Sequence, residues 1–124
     1  MEKFFVQETE DTPKIEFDPG NKLFEISGRS LPENAIGFYS KTLQWLTEYS
    51  LSPIELTVVN FKLEYFNTSS AKQIAKLLLL LEKIAENKSK VLINWYYYKD
   101  DSDMYASGSR FSKLISLNFT FLEM

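Results

Sequence analysis

The fold is decided by residues 54–98, which read IELTVVNFKLEYFNTSSAKQIAKLLLLLEKIAENKSKVLINWYYY. The first part, Ile54–Phe66, is rich in Val, Phe and Tyr and predicts a buried strand. Asn67–Ser70 is typical of a helix start, and the apolar side chains that follow keep a helical spacing to about Asn87. Val91–Tyr98 predicts a second buried strand. We expect this βαβ unit to have parallel strands and a right-handed crossover.

The residues before this unit predict a β-hairpin behind a loose arm. Residues 1–11 are mostly polar and acidic, which indicates the arm. Thr12–Phe17 and Leu23–Gly28 have the composition of strands. Asp18–Asn21, with Pro at its second position and Gly at its third, suits a type II turn between them.

Two more helices and a last strand complete the predicted pattern. Ser30–Glu33 has the composition of a helix N-terminus with Ser30 as a candidate N-cap, and apolar side chains recur at helical spacing from Ile36. Asp100–Asp103 suits the start of a shorter helix, and Asn118–Leu122 suits a strand. The predicted order is β-β-α-β-α-β-α-β. We expect one α/β domain over residues 1–124, with a mixed sheet and helices packed on it.

Composition and charge exclude several classes of function. The net charge is −3, which argues against binding to nucleic acid because phosphate contacts need clustered Lys and Arg. The longest apolar run is too short for a bilayer and the N-terminal residues lack the order of a signal peptide, so we expect a cytoplasmic protein with no membrane contact. The chain has no Cys and no His, which removes thiolate sites and the commonest general base. We expect no catalytic residues, no metal and no cofactor.

The candidate functional site lies where the first strand of the βαβ unit ends and its helix begins. A helix N-terminus offers free N–H groups and the positive end of the helix dipole, so it tolerates an added anion. A phosphate on Thr68 would bring about −1.5 to −2 charges, and Lys72, one turn later, would offset part of them. The alternative interpretation is that Asn67 or Thr68 is simply the N-cap of the helix.

Five stretches of sequence carry a resemblance to a known family. They are Pro32-Glu33-Asn34 before a helix with Phe38 and Trp45, then YFNTSSAK, Leu81-Glu82, VLINWYY, and Asp103-Met104 with Gly108 and Phe111. In this spacing, from about residue 9 to residue 121, the chain resembles the SiaC family of bacterial regulatory phosphoproteins. That family is similar to the STAS-type anti-sigma-factor antagonists, so the resemblance implies a STAS-like fold.

The same resemblance implies a function and a set of partners. In STAS-type antagonists, a Ser or Thr directly after an Asx residue at the start of this helix accepts a phosphate. Carried onto this sequence, Asn67 takes the Asx position and Thr68 is the acceptor, with Ser69 and Ser70 as neighbours and candidate minor sites. The implied circuit is partner switching: a Ser/Thr kinase adds the phosphate, a PP2C-type phosphatase removes it, and the unphosphorylated form binds an effector. A diguanylate cyclase as effector would tie the protein to cyclic-di-GMP signalling.

Some features leave alternatives open. Leu79 lies at the margin of the apolar stripe of the helix, where it either packs under two elements or contacts a partner. Lys76 lies with Lys72 on a basic strip, which is a solvated face or part of the same contact. The aspartates of Asp100–Asp103 favour helix capping over a cation site because the Gly and final Glu of an EF-hand are absent. The alternative function is an unswitched adaptor domain in which Thr68 is only a helix cap.

Overall fold

The computed structural model describes residues 1–87 and 89–124, which form a six-stranded sheet and three α-helices. In chain order the elements are β1 (Phe4–Val6), β2 (Lys14–Asp18), β3 (Leu23–Ser30), α1 (Ala35–Tyr49), β4 (Leu56–Phe66), α2 (Thr68–Asn87), β5 (Lys90–Tyr97), α3 (Ser102–Leu114) and β6 (Asn118–Glu123). Among the described residues, no helix combines the length and the apolar character needed to cross a bilayer.

The strands lie in the sheet in chain order, from β1 at one edge to β6 at the other. β1, β2 and β3 pair antiparallel, whereas β3, β4, β5 and β6 pair parallel and are joined by α1, α2 and α3. Right-handed crossovers that all step in the same direction place their helices on the same face of a sheet. The prediction of a mixed sheet with an N-terminal hairpin and a parallel βαβ unit is confirmed.

The face of the sheet under the helices is packed with aromatic rings. Trp95 of β5 is fully buried, with its ring centroid 5.3 Å from that of Phe61 and 5.7 Å from that of Phe111. Its indole N–H donates to the carbonyl of Met104 at 3.0 Å. Gly108 of α3 faces this indole so closely that a Cβ there would overlap the ring. These contacts fix α3 against the sheet, beside the end of β4.

The opposite face of the sheet carries paired charges in place of helices. Glu25 of β3 lies at the centre, with its carboxylate 3.2 Å from Lys14 Nζ and 3.0 Å from Lys62 Nζ. Lys3 and Glu16 form a further pair at 2.8 Å nearer the β1 edge. Opposite charges on neighbouring strands of one face stabilise their pairing. This face stays in contact with solvent, and the hydrophobic core lies on the other side.

The predicted loose arm, residues 1–11, contains strand β1. Phe4 pairs with Phe17 of β2, and its ring centroid lies 6.2 Å from that of Trp45 on α1. The Trp45 indole N–H donates to the carbonyl of Glu2 at 3.0 Å. The prediction is wrong for residues 4–6. It rested on the polar character of residues 1–11 as a whole, whereas two apolar side chains within them, Phe4 and Val6, pack against the core.

The hairpin turn is a single turn of 3-10 helix instead of the predicted type II turn. It spans Pro19–Asn21, and the carboxylate of Asp18 accepts a hydrogen bond from the backbone N–H of Asn21 at 3.3 Å. The left-handed backbone conformation falls on Lys22, with φ of 56°, and not on Gly20. The Asp18 side chain takes the N–H of Asn21, and the backbone turn closes one residue later, from the N–H of Lys22 to the carbonyl of Pro19 at 3.1 Å.

Helix α1 begins later than the sequence predicts. Its N-cap is Asn34, whose side-chain oxygen accepts from the N–H of Gly37 at 3.0 Å. Ser30, the predicted cap, is instead the buried last residue of β3, where it pairs with Phe66 of β4. The strand ladder therefore prevails over the local capping signal. The buried stripe of α1 begins at Ala35 and continues through Tyr39, so Ile36, predicted for the apolar face, lies outside it and is 68% exposed.

Candidate functional site

The junction between β4 and α2 is fixed through Asn67. Its backbone N–H donates to the carbonyl of Ser30 at 3.1 Å, and its own carbonyl accepts from the N–H of Ala71 at 2.9 Å. Its side-chain oxygen accepts from the N–H of Ser70 at 2.9 Å, which is the geometry of an N-cap. The sequence left Asn67 or Thr68 open as the cap, and the structure assigns the cap to Asn67.

Thr68 is the first residue of α2, and its side chain is exposed. Within residues 1–87 and 89–124, its hydroxyl has no hydrogen-bond partner. Ser69 is also exposed, and its hydroxyl donates to the Asn67 side-chain oxygen at 3.3 Å. Thr68 therefore presents an unpaired hydroxyl at the positive end of a twenty-residue helix.

Ser70 differs from its two neighbours because it is fully buried. Its hydroxyl donates to the carbonyl of Ser30 at 3.0 Å and accepts from the Ser30 hydroxyl at 2.8 Å. The Ser30 hydroxyl also lies 2.6 Å from the hydroxyl of Tyr39 on α1. Three elements thus meet in one buried hydrogen-bonded cluster at the start of α2. The sequence grouped Ser70 with Thr68 and Ser69, and the structure separates it from them.

Burial raises the pKa of Tyr39 to about 12, although the hydrogen bonds to Ser30 and Ser70 act in the opposite direction. Desolvation disfavours the charged phenolate, so the tyrosine keeps its proton at physiological pH. A protonated phenol is a hydrogen-bond donor. Since the Ser30 hydroxyl already donates to Ser70, the Tyr39 hydroxyl donates to Ser30.

Ser30 and Tyr39 are the residues of this cluster that sequence reasoning missed. Ser30 has the pattern of a helix cap, and Tyr39 has the spacing of an ordinary core residue on α1. Neither signal indicates that the two meet Ser70, which lies 40 residues after Ser30. Only the parallel pairing of β3 with β4 brings them together.

A strip of exposed side chains continues from Thr68 along α2. Lys72, Lys76 and Leu79 follow Thr68 at intervals that keep all four within about 80° around the helix axis. Both lysines are exposed, and neither forms an ion pair within the part of the chain that the structure describes. Leu79 is 48% exposed, whereas its neighbour Leu80 packs against the core. The strip is basic with an apolar end.

A shallow cavity of about 240 Å³ lies between the end of β4 and the start of α3. Asp101 in its lining is the N-cap of α3 and accepts from the N–H of Met104 at 2.9 Å. Asp103 lies in the first turn of the same helix, where a negative charge is favourable. Among the described residues, no group of acidic side chains is arranged to hold a metal ion. Asp101 thus caps α3, as the sequence favours for this stretch.

The chain matches a known protein family over almost its whole length. Residues 6–124 match the family described as SiaC family regulatory phosphoprotein. The chain therefore belongs to the SiaC family, and the resemblance noted in the sequence is confirmed. An uncharacterized protein of Pseudomonas aeruginosa strain UCBPP-PA14 is 29% identical over 100 residues, which cover 78% of this chain and 77% of that protein.

Solved structures of SiaC have the same fold. The crystal structure of apo-SiaC from Pseudomonas aeruginosa superposes with a TM-score of 0.88 at 24% identity, covering 98% of this chain and 99% of that chain. A chain from the crystal structure of the diguanylate cyclase SiaD in complex with its activator SiaC, also from Pseudomonas aeruginosa, superposes with a TM-score of 0.90 at 23% identity and the same coverage. At this identity the likeness establishes the fold alone. It confirms the predicted α/β architecture.

Proposed function

We propose that this protein is a non-enzymatic signalling domain whose binding to an effector is switched by phosphorylation of Thr68. A Ser/Thr kinase adds the phosphate and a PP2C-type phosphatase removes it. The unphosphorylated form binds and regulates the effector. The observation that carries the proposal is the exposed, unpaired hydroxyl of Thr68 at the first position of α2. Membership of a family of regulatory phosphoproteins supports it.

The surroundings of Thr68 accommodate a phosphate without refolding. The phosphate would extend from the helix start into solvent, where the free N–H groups and the helix dipole favour a negative charge. The ammonium group of Lys72, one turn later on the same side, lies within reach of such a charge. The folded domain therefore tolerates both states, and the switch acts on the partner and not on the fold.

The effect on a partner is electrostatic. An interface that covers the start of α2 would have to desolvate the phosphate, and one lysine does not neutralise about two negative charges. An uncompensated buried ion costs several kcal/mol, which is enough to abolish a complex of micromolar affinity. We expect the interface to continue along the exposed strip, with Lys76 and Leu79 as further contacts, because they share the exposed side of α2 with Thr68.

A diguanylate cyclase is the effector class that we propose. SiaC of Pseudomonas aeruginosa is the activator of the cyclase SiaD in a structure whose fold matches this chain with a TM-score of 0.90. The regulated output would then be cyclic-di-GMP.

The first test is whether Thr68 carries phosphate in the cell. The protein would be isolated from its native cells, with and without phosphatase treatment, and the peptide covering residues 65–76 analysed by mass spectrometry with fragmentation. We expect a phosphatase-sensitive phosphate on Thr68. Its consistent absence across growth conditions would contradict the switch and favour the unswitched adaptor.

The second test is whether this phosphate controls binding. Protein carrying phosphothreonine at position 68 would be compared with unmodified protein as bait in lysate of the native cells, and a diguanylate cyclase in the unmodified eluate would then be assayed for cyclic-di-GMP synthesis. Phosphothreonine at Thr120, an exposed residue on the helix-free face of β6, is the matched control. We expect the phosphate at residue 68 alone to abolish recovery of the cyclase. Equal recovery by all three baits would refute the proposal.

A further inference from the structure

Three consecutive hydroxyl groups open α2, and the structure gives them three different environments. The Thr68 hydroxyl is exposed and unpaired within residues 1–87 and 89–124. The Ser69 hydroxyl is exposed and makes one long hydrogen bond, of 3.3 Å, to Asn67. The Ser70 hydroxyl is fully buried with two hydrogen bonds to Ser30. A difference of this size among neighbours needs a physical cause.

The cause is a directed chain of hydrogen bonds. The Tyr39 hydroxyl donates to the Ser30 hydroxyl at 2.6 Å, that hydroxyl donates to Ser70 at 2.8 Å, and Ser70 donates to the Ser30 carbonyl at 3.0 Å. Each of the three hydroxyl protons is used once. The same Ser30 carbonyl accepts from the backbone N–H of Asn67 at 3.1 Å. The segment from Asn67 to Ser70 is thus attached to the end of β3 at both of its ends, and Thr68 and Ser69 between them face outward.

We propose that Ser30, Tyr39 and Ser70 form a positioning cluster that restricts phosphorylation of this segment to its outward side and presents Thr68 as the acceptor. The inference rests on the proposed function of Thr68. It names the residues that hold this segment so that Ser70 is buried and Thr68 is exposed. None of the three accepts the phosphate. They act by holding the first turn of α2 in one orientation.

The chemistry of phosphoryl transfer explains why Ser70 is excluded as an acceptor. The acceptor oxygen forms a bond to the γ-phosphorus of a nucleoside triphosphate, the bond from that phosphorus to the bridging oxygen breaks, and the nucleoside diphosphate leaves with the bonding electron pair. The hydroxyl proton passes to a base of the kinase. The Ser70 oxygen has no access to solvent, it accepts a hydrogen bond from Ser30, and its proton is held by a carbonyl. The Thr68 oxygen has none of these restrictions.

The test replaces residues of the cluster and reads where the phosphate goes. Wild type, Ser30→Ala and Tyr39→Phe would be expressed in the native cells, and the ratio of phosphate on Thr68 to phosphate on Ser69 and Ser70 measured by fragmentation mass spectrometry. Ser30→Ala removes the donor to Ser70, and Tyr39→Phe keeps the ring but removes the first donor of the chain. We expect the ratio to fall about tenfold in Ser30→Ala, which loses both hydrogen bonds of the Ser30 hydroxyl, and in the same direction but less in Tyr39→Phe, which loses one.

Tyr49→Phe is the matched control. The Tyr49 hydroxyl lies on the same helix as Tyr39 and shares a buried hydrogen bond of 2.8 Å with Thr57, far from Thr68. Its removal destabilises the domain in a similar way, so a general loss of stability would change the phosphate ratio in this variant too. We expect no change. Amide hydrogen exchange of Ser70 and Ala71, whose N–H groups donate to Asn67, gives a second readout on the purified proteins, and we expect it to be about tenfold faster in Ser30→Ala and unchanged in Tyr49→Phe.

Two results would overturn the inference. One is an unchanged phosphate ratio in Ser30→Ala, which would assign the choice of site to the kinase alone. The other is unchanged hydrogen exchange at Ser70 and Ala71 in the same variant. A wild-type protein without any phosphate on Thr68 would refute the proposed function instead. The exchange measurement does not depend on phosphate, and it still decides whether the cluster positions this segment.

Discussion

Helices α1 and α2 begin at the same end of the parallel strands and with the same capping residue, yet only α2 has an exposed hydroxyl in its first turn. Each follows a strand of the parallel part of the sheet. Asn34 accepts from the N–H three residues later at 3.0 Å, and Asn67 does the same at 2.9 Å. The capping geometry is therefore equivalent, and so is the favourable environment for a negative charge.

The two helix starts differ in which side they bury. In α1 the first residue, Ala35, is buried and the third, Gly37, is exposed. In α2 the order is reversed, since Thr68 is exposed and Ser70 is buried. The difference teaches that a capped helix start is not by itself a functional site. In α2 the side chain of the third residue, Ser70, is held in the core by its hydrogen bonds to Ser30. Thr68, two residues earlier, therefore lies on the solvent side of the helix.

The largest expected effect contrasts one acidic substitution at each helix start. Thr68→Asp places a carboxylate at the first position of α2, and Ile36→Asp places one at the exposed second position of α1. We expect Thr68→Asp to weaken binding to the recovered effector by about a hundredfold, because the interface must desolvate an unpaired charge, and Ile36→Asp to have little effect. Isothermal titration calorimetry with the purified effector measures both affinities.

Stability serves as the control for this pair. Both carboxylates lie in the first turn of a helix, where the dipole favours them, so neither variant should lose thermal stability. Equal losses of affinity in the two variants would show that the partner covers both helix starts. The difference between the starts of α1 and α2 would then not explain where the partner binds, and Ile36 would be part of the interface.

The sequence predicted the βαβ unit and the exposed hydroxyl for clear physical reasons. The strand patterns of β4 and β5 and the helical period of α2 are local signals, and local signals are strong in long, regular elements. Thr68 is exposed because it is the first residue of a helix that begins directly after the carboxyl end of a strand. Lys72 and Lys76 were predicted for the outer side of α2 by the same period, and the structure places them there.

What the sequence could not predict depends on contacts between distant residues. Ser30 has the local features of a helix cap, but pairing with β4 extends β3 through it and buries it. The burial of Ser70 follows from that event, and no nearby residue signals it. Strand β1 is a second example, because Phe4 and Val6 are partly buried only when β2 and α1 pack beside them. Tertiary packing prevailed over local propensity in both places.

The next prediction tests the buried hydrogen bonds among Ser30, Tyr39 and Ser70, which hold the start of α2 and, in the part of the chain that the structure describes, have no counterpart at the start of α1. The phenol of Tyr39 has its pKa raised to about 12 in the folded protein, whereas an unfolded tyrosine titrates near 10. Between these values the unfolded chain has lost the proton and the folded one has kept it, so the free energy of unfolding falls as the pH rises. We expect wild type to lose about 2 kcal/mol relative to Tyr39→Phe by about pH 11.5.

Urea denaturation of the two proteins at about pH 9 and at about pH 11.5 measures this difference. Tyr39→Phe is the reference protein, since every other ionisable group is common to both proteins and its contribution cancels. A stability difference that does not change with pH would mean that the Tyr39 hydroxyl is solvated. The cluster with Ser30 and Ser70 would then be open in solution.

The smallest expected effect compares the two caps themselves. Asn34→Ala and Asn67→Ala each remove one side-chain acceptor from a helix start, and each should lower the free energy of unfolding by about 1 kcal/mol in urea denaturation. Asn34→Asp and Asn67→Asp keep an acceptor at the same place and should retain the stability of wild type. A clearly smaller loss of unfolding free energy in Asn67→Ala than in Asn34→Ala would show that the hydrogen bond from Ser70 to the Ser30 carbonyl is sufficient to hold the start of α2. The cap would then be redundant in α2 and necessary in α1, which would place the difference between the two helix starts in the buried cluster alone.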